Sequence, residues 1–547
     1  MQPHAAAAGR IRALVAEGRL GAGLTAEVRF GAPPPPEARE PGFWTGRGVL
    51  AEHGPAVLGL LGAWLGPLSL EDFVDDSAGG PEAECRLRLR AGPAACTVEL
   101  SRLRPLANRI VLTGDDGRAE LDLDTGELRA EPSSLADVAP APVESLDAAS
   151  LIDAAYRTRR RALHVWEDAD DAAGEPLLGR KVLVTGGLGF IGARLVEKLV
   201  ARGAEVTAAS RDLRRAPRVA RLDVRLIRLD ATDPAALRAA VEGQAVVINL
   251  AYDFRRSAAG NLKAYRLLAE ACLAAGVPRF VQASSIAVYD GWPGEDLTEA
   301  SPRDGPGHPY KTTKRAIERD LAARAARGEL QVAVLQPTIV YGPFSAQWTD
   351  GFVGMMRRAP TRLPPADGLC NAAHVDDVAD AFIAAAVAEA PLAGGLIVSG
   401  PRPFPWTRMF EAYAAAVEAR LLPSAETPPT PAGGGSLLGR LRAFAAGPVA
   451  GGVTDWLVDR IGADRLAALT SRLGGGSQDT PAVFDPAAGE PALFTARGVC
   501  SVEALGRTLG PPQIDSERGL ARTGAYLRWR FGGAAFGEPS PPPVSGP

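Results

Sequence analysis

Cysteine, lysine and histidine are scarce in this chain of 547 residues, and no apolar run is long enough to span a membrane. The five cysteines, Cys85, Cys96, Cys272, Cys370 and Cys500, form no CxxC pair and show no metal-ligand spacing. A disulfide framework and a zinc site are therefore not indicated. Neither sign of charge dominates: 60 basic and 64 acidic residues leave a net charge of -4, without the basic field that a nucleic-acid binder needs. No basic segment followed by an apolar stretch opens the sequence, and no run reaches the roughly 20 apolar residues of a membrane span. A cytoplasmic protein acting on small molecules, with no nucleic acid and no membrane span, is expected. The lysines are only Lys181, Lys198, Lys263, Lys311 and Lys314. Arginine does most of the basic work, so a lysine that must share or lose its charge stands out.

Glycine, by contrast, is concentrated where it carries information. Val182-Leu183-Val184-Thr185 runs into Gly186-Gly187-Leu188-Gly189-Phe190-Ile191-Gly192. Lys181 to Thr185 reads as a buried parallel strand, and Ile191, Leu195, Val196, Leu199 and Val200 follow helical spacing. A glycine turn between strand and helix lets backbone N–H groups and the helix dipole hold a dinucleotide pyrophosphate. Thr185, Gly186, Gly189, Phe190, Ile191 and Gly192 are the candidate residues, although turns and helix packing also select glycine for purely structural reasons.

The length suggests about three units. Residues 1-130 alternate apolar and polar side chains in short runs, with a buried helix expected over Gly48 to Leu65. That pattern reads as an α+β domain on an antiparallel sheet. A linker with a helix from Leu146 to Trp166 fills 131-179. From Lys181 strands and helices alternate, with strands at Glu205 to Ala209, Val224 to Leu229, Ala245 to Leu250 and Arg279 to Ala283. Such alternation makes 180-400 an α/β, doubly wound parallel sheet of Rossmann type. A helical substrate or lid region is expected over 401-531, with Leu437, Leu441, Phe444, Trp456 and Ile461 packing over the cleft, and a disordered tail over 532-547.

Ser284-Ser285 follows the strand ending at Ala283, and Tyr310-Lys311-Thr312-Thr313-Lys314 opens a helix. Positions four apart share a helix face, so Tyr310 and Lys314 point together into the cleft at the strands' carboxyl ends. A cation there lowers the pKa of a phenol.

With these residues in view, the chain from about Arg180 to Gly400 resembles the extended short-chain dehydrogenase/reductase family, also called NAD-dependent epimerase/dehydratase. Besides the glycine turn, the matching motifs are Asp230, Asn249-Leu250-Ala251, Asn261, Ser285, Tyr310, Lys314, Gln336-Pro337-Thr338 and His374-Val375-Asp376-Asp377. The resemblance implies that Tyr310 is the catalytic acid/base, that Lys314 lowers its pKa and holds the nicotinamide ribose, and that Ser285 bonds the substrate oxygen. It also implies cofactor contacts by Leu250, Ala251, Asp230 and Pro337. Cofactor choice falls after the second strand, where Ser210, Arg211 and Arg214 favour NADP over NAD.

Two departures from the family pattern narrow the reaction. Ile286-Ala287 stands where the 4,6-dehydratases carry an Asp-Glu pair, which disfavours dehydration, and Gln336 replaces the usual arginine before Pro337. The amino-terminal unit resembles the carboxyl-terminal sheet domain of the glucose-fructose oxidoreductase/inositol dehydrogenase family. That alignment sets Glu52 at the family's acid and Ala56 at its histidine, and turns His53 elsewhere; His308 and His374 are read as structural.

The resemblances imply an oxidoreductase or epimerase acting on a sugar, nucleotide-linked, in a homo-oligomer. An NADPH-dependent reductase of a non-sugar carbonyl and a non-catalytic NADP-binding sensor or scaffold stand as alternatives.

Overall fold

The computed structural model describes residues 5–46, 48–142, 148–173, 177–424 and 482–537. They divide into two compact units, one drawn from 1–168, 212–226 and the stretch from Trp529, the other from 169–211 and 227–528.

The first unit is built on the expected alternating strands: β1 (Thr25–Gly31), β2 (Ser69–Asp75), β3 (Glu84–Ala91), β4 (Ala94–Ser101), β5 (Arg109–Gly114), β6 (Gly117–Asp122), β7 (Leu128–Glu131) and β8 (Arg160–Arg161). They hydrogen-bond in the order β7-β6-β5-β1-β4-β3-β2-β8. Helices α1 (Ala5–Ala16) and α2 (Val49–Leu65) supply Ile11, Leu14, Leu50, Val57, Leu58, Leu61 and Trp64 to a core shared with Val28, Leu87, Val98 and Leu100 of the sheet. The start of α2 is capped by Glu82, whose carboxylate accepts from the Leu50 N–H at 3.0 Å.

Two local expectations are corrected and one is sharpened. The sheet is antiparallel in most of its pairings, as expected, but β1 pairs parallel with β4 and β2 with β8. The long excursion through α2, β2 and β3 lets the chain return in the same direction. The helix expected over Leu146 to Trp166 is confined to α3 (Ala149–Arg157). Arg160 pairs with Asp72 at 2.6 Å and Arg159 with Asp75 at 2.6 Å, which draws the following residues out along β2 as β8. Finally, Gly532 to Gly537, expected in a disordered tail, are anchored through Phe536 and two main-chain carbonyls. Phe536 is buried, its N–H donates to Glu99 at 3.0 Å, and Arg29 donates to the Gly533 carbonyl at 2.9 Å. The rest of that tail, and the segment from Leu437 to Ile461, lie outside the described residues.

Charge is buried where this segment docks. Arg104 is almost wholly enclosed, pairs with Glu84 at 2.8 Å and with Glu99, and donates to the carbonyls of Trp529 and Ala534.

The second unit follows the alternating pattern closely. Strands β9 (Lys181–Thr185), β10 (Glu205–Ser210), β11 (Arg225–Arg228), β12 (Val246–Asn249), β13 (Arg279–Ala283), β14 (Gln331–Pro337) and β15 (Leu392–Val398) form a seven-stranded sheet in the order β11-β10-β9-β12-β13-β14-β15. Every pairing from β10 to β15 is parallel. Helix α4 (Phe190–Ala201) follows β9, and α5 (Pro234–Val241), α6 (Ala258–Ala274) and α7 (Pro309–Ala326) come later. Leu237, Leu268, Ile317 and Leu321 of these later helices pack on Leu183, Val247, Phe280 and Val332 of the sheet. Strand order reverses between β9 and β12, which opens a crevice at their carboxyl ends. Among the described residues no helix is long and apolar enough to cross a membrane.

Arg104→Ala should cost about 3 to 5 kcal/mol, because it leaves Glu84 buried without its arginine and Glu99 with Arg29 alone. Arg88→Ala removes only an exposed partner of Asp72 and should cost less than about 1 kcal/mol. Denaturant titration of both variants checks the difference, and equal losses would contradict this assignment of the buried charge.

Candidate active site

The turn after β9 is shaped for close approach by a ligand. Gly186 has φ +73°, and its N–H donates to the Ala209 carbonyl at 3.0 Å. A side chain at Gly186 would place its Cβ 3.1 Å from the backbone between Leu250 and Ala251, and one at Gly192 would collide with the Gly186 carbonyl. Gly189 begins α4 without any side-chain cap, so the first-turn N–H groups are left for a ligand. Phe190 and Ile191 lie half-buried in that first turn. Thr185 donates to Asn249 at 2.6 Å and Asn249 to Gln282 at 2.8 Å, tying together the ends of β9, β12 and β13. These features fit a dinucleotide: an open helix terminus, glycines that admit the backbone, and a crevice beside Leu250 and Ala251.

Ser210 closes β10, and the next residue, Arg211, pairs with Asp253 at 2.7 Å. Asp253 also meets Arg256 at 3.4 Å, and Arg256 reaches Asp230 at 3.0 Å, so four charges alternate along this edge. Arg214 belongs to the first unit, where it pairs with Asp212 at 2.6 Å. Pro337 ends β14.

The chemistry-bearing residues converge as their spacing implies. Tyr310 lies in the first turn of α7, and Lys314 follows one turn later with its Nζ 5.6 Å from the Tyr310 ring centre. The Lys314 ammonium donates to the Ala283 carbonyl at 2.8 Å, anchoring α7 to the end of β13. Ser285, half-buried just beyond β13, is hydrogen-bonded with Tyr310. Ser284 turns away and donates to Glu318.

Burial dominates the electrostatics of both groups. It lowers Lys314 to about 8, opposed by the Glu318 carboxylate. It raises the Tyr310 phenol, opposed by the Ser285 hydrogen bond. The expected lowering of the phenol by the neighbouring cation is therefore outweighed by loss of solvent around the ring.

Several neighbours were not singled out from the sequence. The Tyr252 ring meets Tyr310 edge-on at 4.9 Å, Phe254 stacks on it at 5.7 Å, and His308 stacks at 6.1 Å. Phe254 is 81% exposed beside the Tyr310 phenol. The loop carrying both aromatics is fixed by Asn261, which accepts from the Asp253 N–H at 3.0 Å and donates to its carbonyl at 2.9 Å. Alternating aromatics in Tyr252-Asp253-Phe254 were the available signal.

His374 accepts from the Asp376 N–H at 3.3 Å, and burial lowers its pKa to about 4. No group of side chains suited to a metal ion occurs among the described residues. In the first unit Glu52 pairs with Arg102, while His53 packs edge-on against Phe30 at 5.0 Å.

Residues 182–398 match the model of the NAD dependent epimerase/dehydratase family. A 3-diazoavenalumate denitrifying reductase from a Streptomyces species is 33% identical over 270 residues, covering 45% of this chain and 86% of that protein. A 2-alkyl-3-oxoalkanoate reductase of Stenotrophomonas maltophilia is 31% identical over 262 residues, covering 44% of this chain and 76% of that protein. Among solved structures, an epimerase of Methanothermobacter thermautotrophicus is 17% identical with a TM-score of 0.46, covering 64% of this chain and 94% of that one.

Gly192→Val should raise the dissociation constant for a nicotinamide dinucleotide at least about tenfold, a change of about 1.4 kcal/mol. Fluorescence titration of reduced cofactor reads this directly. Unchanged affinity would separate the glycine turn from cofactor binding.

Proposed function

This chain belongs to the NAD dependent epimerase/dehydratase family, and we propose that it is an NADPH-dependent carbonyl reductase whose substrate presents a flat or apolar group beside the carbonyl. The observation that carries this reading is the exposed Phe254 ring stacked on Tyr310, with Tyr252 edge-on to the same phenol. An aromatic wall of this kind favours apolar and planar groups over a hydroxylated sugar ring. Of four relatives at 30% identity or more, three are named as reductases, one of them for an oxoalkanoate and one for 2'-dehydrokanamycin, and the fourth is named a sterol demethylase protein. Gln336, where the family carries arginine, is buried and committed to Glu318 at 2.9 Å, with Tyr289 donating to it at 2.8 Å. It offers no charge to the diphosphate of a sugar nucleotide, so the sugar reading loses one contact.

Thr185, Gly186, Gly189, Phe190, Ile191 and Gly192 would hold the dinucleotide, with Leu250, Ala251, Asp230 and Pro337 beside it. Arg211 would meet the ribose 2′-phosphate in place of Asp253, its present partner at 2.7 Å. The bound nicotinamide supplies the hydride. Tyr310 donates the proton to the developing alkoxide, Ser285 hydrogen-bonds the same oxygen, and Lys314 holds positive charge next to the phenol as the proton leaves. Tyr252 and Phe254 hold the substrate's apolar part and keep water from the phenol. A homo-oligomer is part of this reading.

Tyr310→Phe should lower turnover by about 10² to 10⁴-fold with cofactor affinity kept. A panel of aromatic ketones, oxoalkanoates and UDP-sugars, followed by NADPH oxidation, should show turnover of the first two classes. Turnover confined to the sugars would overturn the substrate reading.

Lys314 carries its proton below about 8 and loses it above, so reductive kcat/KM should fall as pH rises through that value. Lys314→Arg stays charged and should lose the alkaline limb. A wild-type profile flat to about pH 9.5 would remove Lys314 from the mechanism.

A further inference from the structure

Behind the Tyr310 and Lys314 pair lies a carboxylate that neither the glycine turn nor the catalytic trio accounts for. Glu318 sits one helical turn beyond Lys314 on the same face of α7 and is buried. One of its oxygens accepts from the Ser284 hydroxyl and, at 2.9 Å, from the Gln336 side-chain amide. The other accepts from Arg303 at 3.0 Å. Gln336 in turn accepts from the Tyr289 hydroxyl at 2.8 Å. One carboxylate thus joins α7, the ends of β13 and β14, and the loop leading into α7.

We infer that Glu318 is a positioning residue for the reaction: by engaging Ser284 it leaves Ser285 alone to face Tyr310, and its negative charge keeps the buried Lys314 ammonium charged. This rests on the reading of Tyr310 and Lys314 as reaction groups.

The hydrogen bonds carry the first half, and the one-turn spacing of Lys314 and Glu318 on α7 carries the second. Two adjacent serines follow β13, and Glu318 takes one of them, so the tandem hydroxyls are sorted between a structural acceptor and the phenol. Lys314 is packed between the Tyr252 and Tyr310 rings and the Ala283 carbonyl, and Glu318 is the anion acting on it. The charged groups facing Glu318 are Lys314 from its own helix and Arg303 from the preceding loop. Arg315 and Arg319 line, with Arg303 and Glu318, a cavity of about 240 Å³. Arg315 is committed to Asp290 and to the carbonyls of Val288 and Gly305. Arg303 therefore tempers the Glu318 charge, and the two side chains should move Lys314 in opposite directions.

With five lysines in the chain, labelling the lysine ε-methylene carbons makes the Lys314 titration readable in the intact protein by NMR. The Lys314 resonance is assigned by its loss in Lys314→Arg. Glu318→Gln should lower the Lys314 midpoint by about one pH unit, whereas Arg303→Gln should raise it. The alkaline limb of kcat in the same variants should move with the midpoint, with cofactor affinity unchanged. If Glu318→Gln leaves the midpoint in place, or slows turnover equally at every pH, the positioning role is overturned. Should Glu318→Gln fail to fold, Arg303→Gln decides: an upward shift upholds the inference, and an unmoved midpoint overturns it. The NMR titration requires no turnover, so a shifted midpoint in a protein that oxidises no NADPH would sink the reductase reading alone.

Discussion

A lysine ammonium removed from water, held by one backbone carbonyl and faced by one carboxylate, is the constraint around which the second unit is arranged. Burial of such a cation is costly unless it is paired and hydrogen-bonded. Here the Ala283 carbonyl accepts from Lys314, Tyr252 and Tyr310 pack against it, and Glu318 supplies the opposing charge. For this to hold, β13 must end at Ala283 and α7 must begin at Pro309, so that Tyr310 and Lys314 fall on one face above the crevice. The first turns of α7 and the end of β13 are thus tied by the same hydrogen bond. Burial lowers the Lys314 pKa to about 8, and the Glu318 carboxylate opposes that shift.

The first unit buries charge with the same physics to another end. Arg104 lies between Glu84 and Glu99 and is stacked over Trp529 at 4.7 Å, with two main-chain carbonyls of the carboxyl-terminal stretch on its remaining donors. Beside it, His164 is sandwiched flat on Trp166 at 4.1 Å and bonded to Asp76 at 2.9 Å. These contacts stitch distant parts of the chain into one core. Glu52, set against Arg102, is likewise occupied within its unit.

Periodicity and turn chemistry made most of the second unit legible in advance. The bounds of β9 and β13 coincide with the expected strands, because both are short apolar runs cut off by glycine or serine. The four-residue spacing of Tyr310 and Lys314 and the glycine turn needed only local rules. What escaped was set by partners distant in sequence. The parallel pairing of β1 with β4 depends on a crossover, and the end of α3 at Arg157 depends on acids in β2. The docking of Phe536 depends on a buried Glu99. The aromatic wall escaped for the same reason, since Tyr252 and Phe254 acquire meaning only once β12 is set beside β13. Arg211 follows the second strand in the sequence, but its pairing with Asp253 could be found only in three dimensions.

The central claim, net reduction of a carbonyl beside Tyr310, is tested most directly by isotope transfer. NADPH deuterated at the transferable position is incubated with the protein and an aromatic ketone or an oxoalkanoate, and the product is examined by mass spectrometry. The account predicts one deuterium on the new carbinol carbon for each NADPH consumed. Product formed without deuterium, or a substrate inverted at carbon with no NADPH consumed, would contradict it.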